Sequence, residues 1–173
     1  MRKDVNVWAG KTVSSVADGY EAFVLAQIAN AKKPVIYIAS DGVSLAQTAA
    51  MLRFLHPEDE VLEFPAWDTV PYDRVSPNSA LSAKRIETLA KIVFYDGKTP
   101  LVVVTSVGAV LQKLAPAKIF RNARKLVKVG EKLDFDSFLH YVSLNGYTRV
   151  EQVMEPGEYA VRGDIADIFP SGM

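Results

Sequence analysis

The chain has 173 residues, and twenty Lys and Arg balance twenty Asp and Glu, so it offers no global basic surface for nucleic acid. Its composition, 49% hydrophobic and 23% charged, is that of a globular chain with room for one ordinary domain or two small ones. The lack of cysteine excludes disulfides, thiolate metal sites and a cysteine nucleophile, and with no signal-like or membrane-length apolar run the expectation is a soluble, cytoplasmic protein.

The first periodic segment, "DGYEAFVLAQIANA" (18–31), carries apolar residues at helical spacing and ends at Lys32-Lys33-Pro34. "PVIYIAS" (34–40) is a nearly continuous apolar stretch closed by Asp41-Gly42, the pattern of a buried parallel strand. A second amphipathic helix is predicted over 43–55 and a strand at "EVLEF" (60–64). The loop "FPAWDTVPYDRVSPN" (64–78) holds Trp67, Tyr72 and three prolines; aromatics of that size are costly to expose, so the loop is expected to pack over a sheet edge. A helix over 79–95 follows, capped by Asn78 or Ser79, then a third buried strand in "TPLVVVTS" (99–106) and a short helix to Leu114. This alternation predicts a doubly wound α/β sheet.

Beyond Pro116 the pattern changes. "RKLVKV" (124–129) alternates apolar and basic residues, Gly130 turns, and "DFDSFLHYVSLNG" (134–146) reads as a helix ending at Gly146. "YTRVEQV", "GEYAVRG" and "DIADIFP" read as three short strands, with tight turns at Pro156-Gly157 and Arg162-Gly163. An α/β domain over 1–120 followed by a small α+β module over 121–173 is the expected division.

Few constellations in the chain carry chemistry. Gly10-Lys11-Thr12 ends like a phosphate loop, but the position five before Gly10 is Val5, not glycine, so the backbone cannot wrap a phosphate there. His56 and His140 sit on separate predicted helices with no Ser or carboxylate partner at a telling spacing. The run from Lys113 to Lys132 holds seven cations and one acid, Glu131, and lacks the interleaved aromatics of a single-strand platform. No nucleophile, base and oxyanion site assemble, so no catalytic residue, metal or cofactor is expected. Arg162-Gly163-Asp164 spells an adhesive tripeptide, yet it lies clamped between two alternating strands in a chain without an export signal. A strand-edge arginine beside a glycine projects a planar fork of donors suited to an acidic partner.

The segment "GYTRVEQVMEPGEYAVRGDIADIFP" (146–170) resembles the signature shared by the bacterial excision-repair protein UvrB and the transcription–repair coupling factors. "FPAWDTVPYDRVSPN" and "VTSVGAVLQKLAP" (104–116) resemble the coupling factors specifically, and the resemblance runs in order over essentially the whole chain. It implies a degenerate P-loop, RecA-like parallel sheet similar to UvrB domain 1a, followed by a partial module similar to UvrB domain 2 that binds UvrA and is incomplete at its C-terminus. Where UvrB carries its phosphate loop, this chain has "SSVADGYE" (14–21). Tyr20 falls at the lysine position, Glu21 at the hydroxyl position, and Ala17 and Ser14 at glycines; with Gly19 these residues form a degenerate site expected not to bind nucleotide. Residues 73–78 leave no room for the long DNA-clamping hairpin of UvrB.

The same resemblance makes Arg162 the contact arginine for UvrA, Gly163 the residue that permits the turn, and Phe169, with Pro170, the anchor of the strand. RNA polymerase and DNA would be engaged only by family domains outside these residues, as would the ATP-driven motor, and no membrane is involved. The expectation is a non-catalytic adaptor of transcription-coupled excision repair. Its rivals are a UvrB-type ATP-dependent damage-recognition subunit and a DNA-binding module using the basic run 113–132.

Overall fold

Leu101–Ser106 is the most apolar run of the second half of the α/β region, and all six residues are buried. In the computed structural model, which describes residues 17–29, 33–69 and 76–170 with Gly10, Thr12, Ser14, Ser15 and Arg74 as isolated positions, this run is the central strand of a parallel sheet. Strands β1 (Val35–Ala39) and β2 (Glu60–Phe64) flank β3 (Leu101–Ser106) in the order β1-β3-β2. Val35 and Val61 both stand in register with Val102, so the three strands share one row of branched side chains. The buried Thr105 hydroxyl donates to the Phe64 carbonyl at 2.8 Å and locks β2 to β3 at its C-terminal end.

Two helices supply the cover. In α2 (Gly42–Leu55) the buried residues Leu45, Thr48, Ala49 and Leu52 recur at helical spacing and turn one stripe to the sheet. Asp41 caps its start by accepting from the Ser44 N–H at 2.8 Å, and this hydrogen bond holds the Asp41 carboxyl below the usual carboxylate range. Helix α1 (Tyr20–Ile28) buries Ala22, Leu25 and Ala26; the small residues let it lie close on α2. The core of this unit joins these stripes to Val61, Val102 and Val104. Each fully buried aliphatic side chain contributes about 1.5–3 kcal/mol of transfer free energy.

The strand predicted at 34–40 is present, but it is not buried on both faces. Ile36 and Ile38 are 64% and 50% exposed, while Val35, Tyr37 and Ala39 pack against the core. An edge strand covered by α1 and α2 on one side keeps only alternate residues dry. The doubly wound sheet expected from the alternation is therefore observed as a three-stranded parallel sheet with one apolar face of β1 open to solvent.

The described residues form two compact units: those up to Trp67 together with Tyr95–Leu114, and Asp68–Phe94 together with those from Ala115 onward. This differs from the sequence division of 1–120 and 121–173, because α3 (Ser79–Val93) belongs with the second unit. The aromatic loop is described in part. Trp67 is half-buried and its backbone N–H donates to the Gln112 side chain at 3.1 Å, whereas Tyr72 lies outside the described residues. The first unit also contains the short α4 (Val107–Val110) directly after β3.

In the second unit Asn78 caps α3 by accepting from the N–H groups of Ala80 and Leu81. Helix α5 (Ala117–Asn122) packs on α3, and α6 (Phe135–Leu144) is capped by Asp134, which accepts from the Ser137 N–H at 3.1 Å. Gly146, at φ 83, closes α6 as the sequence suggested. No strand forms at 124–129, where Leu126 and Val127 are exposed. A small sheet completes the unit: β4 (Thr148–Arg149) runs parallel to β5 (Glu158–Arg162), which pairs antiparallel with β6 (Ile165–Ile168).

Candidate functional site

Strands β5 and β6 join through two residues, Gly163 and Asp164, with Arg162 opposite Ile165 as the last pair. A two-residue hairpin turn whose first central residue has positive φ is the type that matches strand twist, and Gly163 sits there at φ 59. A Cβ at Gly163 would meet open space, so glycine is required by the backbone angle rather than by crowding. The base of the hairpin is firm: Tyr159 and Ala160 are buried, and the Phe169 and Gly157 backbones extend the pairing, with Gly157 N–H donating to Phe169 at 2.8 Å and Phe169 N–H donating to Glu158 at 3.0 Å. Glu158 also draws in the preceding turn by accepting from the N–H groups of Met154 and Glu155, both at 2.8 Å, and these bonds lower its pKa.

The hairpin tip is the exposed part. Arg162 has 72% of its side chain in solvent and donates through one guanidinium nitrogen to Asp167 Oδ2 at 2.7 Å. Asp167 faces Ala160, two residues before Arg162, so the ion pair is a diagonal across one face of the hairpin. Ile165, directly opposite Arg162, is 65% exposed. Phe169 is partly exposed just beyond β6. The tip thus presents a guanidinium fork, held on one edge by Asp167, beside an uncovered isoleucine. A fork of this kind can grip a carboxylate through two parallel N–H donors while the apolar neighbour excludes water.

Arg162 and Gly163 therefore meet at one tip as the motif suggested, with Phe169 at the strand end. Asp167 and Ile165 were missed. Both were accessible in principle, since a two-residue turn after Arg162 puts every second residue of "DIADI" on the arginine's face.

The other predicted stretch, 14–21, lies in the first unit. Ser14, Ser15 and Ala17 are exposed, and the backbone is left-handed at Ser15 (φ 56) and at Gly19 (φ 87), the residue before α1. The Tyr20 N–H donates to the Ala17 carbonyl at 3.0 Å, so this amide closes a local turn. Tyr20 stacks on Phe23 with ring centroids 5.8 Å apart, and Glu21 accepts from the Thr48 hydroxyl at 3.2 Å. Beside them lies a cleft of about 550 Å³ whose lining includes Asp18, Glu21, Met51 and Phe54 and, among the described residues, no cation. Lys11, of the Gly10-Lys11-Thr12 tripeptide, lies outside the described residues.

The histidines take ordinary positions. His56 ends α2 with Nδ1 3.1 Å from Glu58, and His140 is exposed on α6. Among the described residues, no helix is long and apolar enough to cross a membrane.

The hairpin falls inside a recognisable class of module: residues 126–173 match the UvrB interaction domain. Along most of its length the chain is also similar to transcription-repair-coupling factors. It is 29% identical to that of Haemophilus influenzae over 94% of the chain, 31% identical to that of Escherichia coli over 80%, and 35% identical to that of Mycobacterium bovis over 79%. Domain and relatives together support an N-terminal module of the transcription-repair-coupling factors, the assignment that the motifs indicated. The chain spans 11–14% of the length of these three relatives.

Proposed function

We propose that the chain is a non-catalytic adaptor that binds UvrA through the Arg162 hairpin and so brings excision repair to stalled RNA polymerase. The observation that carries this reading is the exposed, turn-anchored Arg162–Ile165 tip within the segment that matches the UvrB interaction domain. An adaptor needs a preformed protrusion, since ordering a floppy loop on binding would cost part of the interaction free energy. The buried Tyr159 and Ala160 and the backbone bonds at Gly157 and Phe169 supply that rigidity. RNA polymerase, DNA and the ATP-driven motor enter through regions outside this chain.

The first unit serves as a scaffold rather than as an ATPase. Carboxylates at Asp18 and Glu21, with no cation among the described residues of the adjoining cleft, repel a triphosphate where a phosphate loop would hold a lysine. Titration with a fluorescent ATP analogue and Mg²⁺ is expected to show no saturable binding; saturation would revive the reading as a UvrB-type ATP-dependent subunit. The adaptor itself is tested by calorimetric titration of UvrA into the chain. Binding that Arg162→Ala weakens about five- to thirtyfold is expected, and a folded chain that fails to bind UvrA refutes the proposal.

A further inference from the structure

Within the second unit, α3, α5 and α6 enclose a cleft of about 560 Å³ that includes none of Arg162, Gly163 and Phe169. Four aromatic rings, Phe94, Phe120, Tyr141 and Tyr147, line it, and among the described residues its only charged lining residues are Arg124 and Lys125. The volume lies in the range of ligand clefts and suits one or two large apolar side chains. Further apolar groups stay uncovered along its elements: Ile86 on α3, Ile119 on α5, and Leu126 and Val127 beyond Lys125. An uncovered apolar cluster rimmed by charge marks an interaction surface.

The charges define what fits. Arg124 stacks over Phe94 at 4.5 Å, and the Lys125 ammonium lies 5.4 Å from the Tyr141 ring and 5.6 Å from Phe138. The rings thus hold both cations over the cleft. The Tyr141 hydroxyl donates to the Ala123 carbonyl and ties α6 to the residue before Arg124. Among the described residues no carboxylate lines the cleft, and Asp134, whose pKa is lowered mainly by the Ser137 hydrogen bonds and in part by Lys125, is occupied with capping α6. Arg124 has no ion-pair partner among the described residues.

We infer that this cleft is a docking site for an acidic peptide segment, one that inserts an aromatic or branched apolar anchor and sets its carboxylates on Arg124 and Lys125. A single-stranded nucleic acid fits less well. Base stacking needs open ring faces, and one face each of Phe94 and Tyr141 already carries a cation. A phosphate backbone also calls for a track of cations, whereas two line the cleft and Lys128 is drawn to Glu131 at 3.5 Å.

The test is fluorescence anisotropy of the full chain with a short labelled peptide of aspartates around a single tryptophan. Its controls are the same peptide with the aspartates replaced by asparagines, and an oligothymidylate of similar length. Saturable binding of the acidic peptide is expected, weakened at least about tenfold by the double substitution Arg124→Glu, Lys125→Glu. Both residues are exposed, so the variant keeps its fold, which circular dichroism checks. Lys113→Glu, a charge reversal in the first unit, should leave the affinity within about twofold of the parent. Absence of peptide binding overturns the inference, as does equal binding of the asparagine peptide or indifference to the double substitution. Tighter, Arg124-dependent binding of the oligothymidylate overturns it in favour of a nucleic-acid site.

Discussion

Replacing Arg162 by alanine separates a binding role from a structural one. In the free chain the side chain is 72% exposed and its partner Asp167 is 46% exposed, so their 2.7 Å ion pair is screened by water. Such pairs are worth about 0–1 kcal/mol, and the substitution should cost the fold no more than that. At an interface the same guanidinium, desolvated and forked onto a carboxylate, is worth about 2 kcal/mol or more. If the fork must leave Asp167 to reach its partner, up to about 1 kcal/mol is deducted. The net loss is then about 1–2 kcal/mol, a five- to thirtyfold rise in Kd. Calorimetric titration of UvrA measures it, and a thermal melt of the same samples confirms that folding is intact. Arg162→Lys keeps the charge but not the planar fork, so it should lie between the two. Asp167→Ala with and without Arg162→Ala completes a cycle that reads out the pair directly. Unchanged affinity in Arg162→Ala, with the melt also unchanged, refutes the argument that the hairpin tip reads an acidic surface.

Three further outcomes follow from the same geometry. Gly163→Val should destabilise the hairpin by about 1–2 kcal/mol, because a left-handed φ penalises any Cβ even in open space, while Gly163→Asn should cost less; urea titration of both variants compares them. Leu52→Ala, at a residue 1% exposed beneath the sheet, should cost about 2–5 kcal/mol and lower the urea midpoint; a loss below about 1 kcal/mol would mean that α2 does not seal this core. Asp41, Asp134 and Glu158 are all held below their ordinary pKa by backbone N–H donors. Their contribution is therefore fully present above the unfolded carboxylate pKa and is lost as pH falls through the lower folded values. Denaturation curves collected from neutral to acid pH should show this limb, and Asp41→Asn should make it shallower.

What was legible in the sequence is what depends on neighbours along the chain. The capped start of α3 follows from Asn78, as read, while the caps of α2 and α6 at Asp41 and Asp134 went unread although each side chain reaches an amide three residues ahead. The Arg162 turn was visible for the same reason: a glycine between two alternating runs admits few conformations. An apolar run such as "PVIYIA" cannot declare whether one face or two will be covered, since that depends on helices packed from elsewhere, and Ile36 and Ile38 were accordingly misjudged. The aromatic cleft was hidden for a stronger version of the same reason. Phe94 ends a helix assigned by sequence to the first domain, Phe120 and Arg124 read as parts of a basic run, and Tyr141 and Tyr147 read as parts of a helix and a strand. Only the packing of α3 with α5 brings residues from 86 to 147 around one space. The basic run 113–132 holds one aromatic, Phe120, in sequence but gains others in space, through Phe94 and Tyr141. A charge run judged by its own composition alone is thus judged without its floor, and the floor decides whether it meets a phosphate backbone or a carboxylate-bearing side-chain cluster.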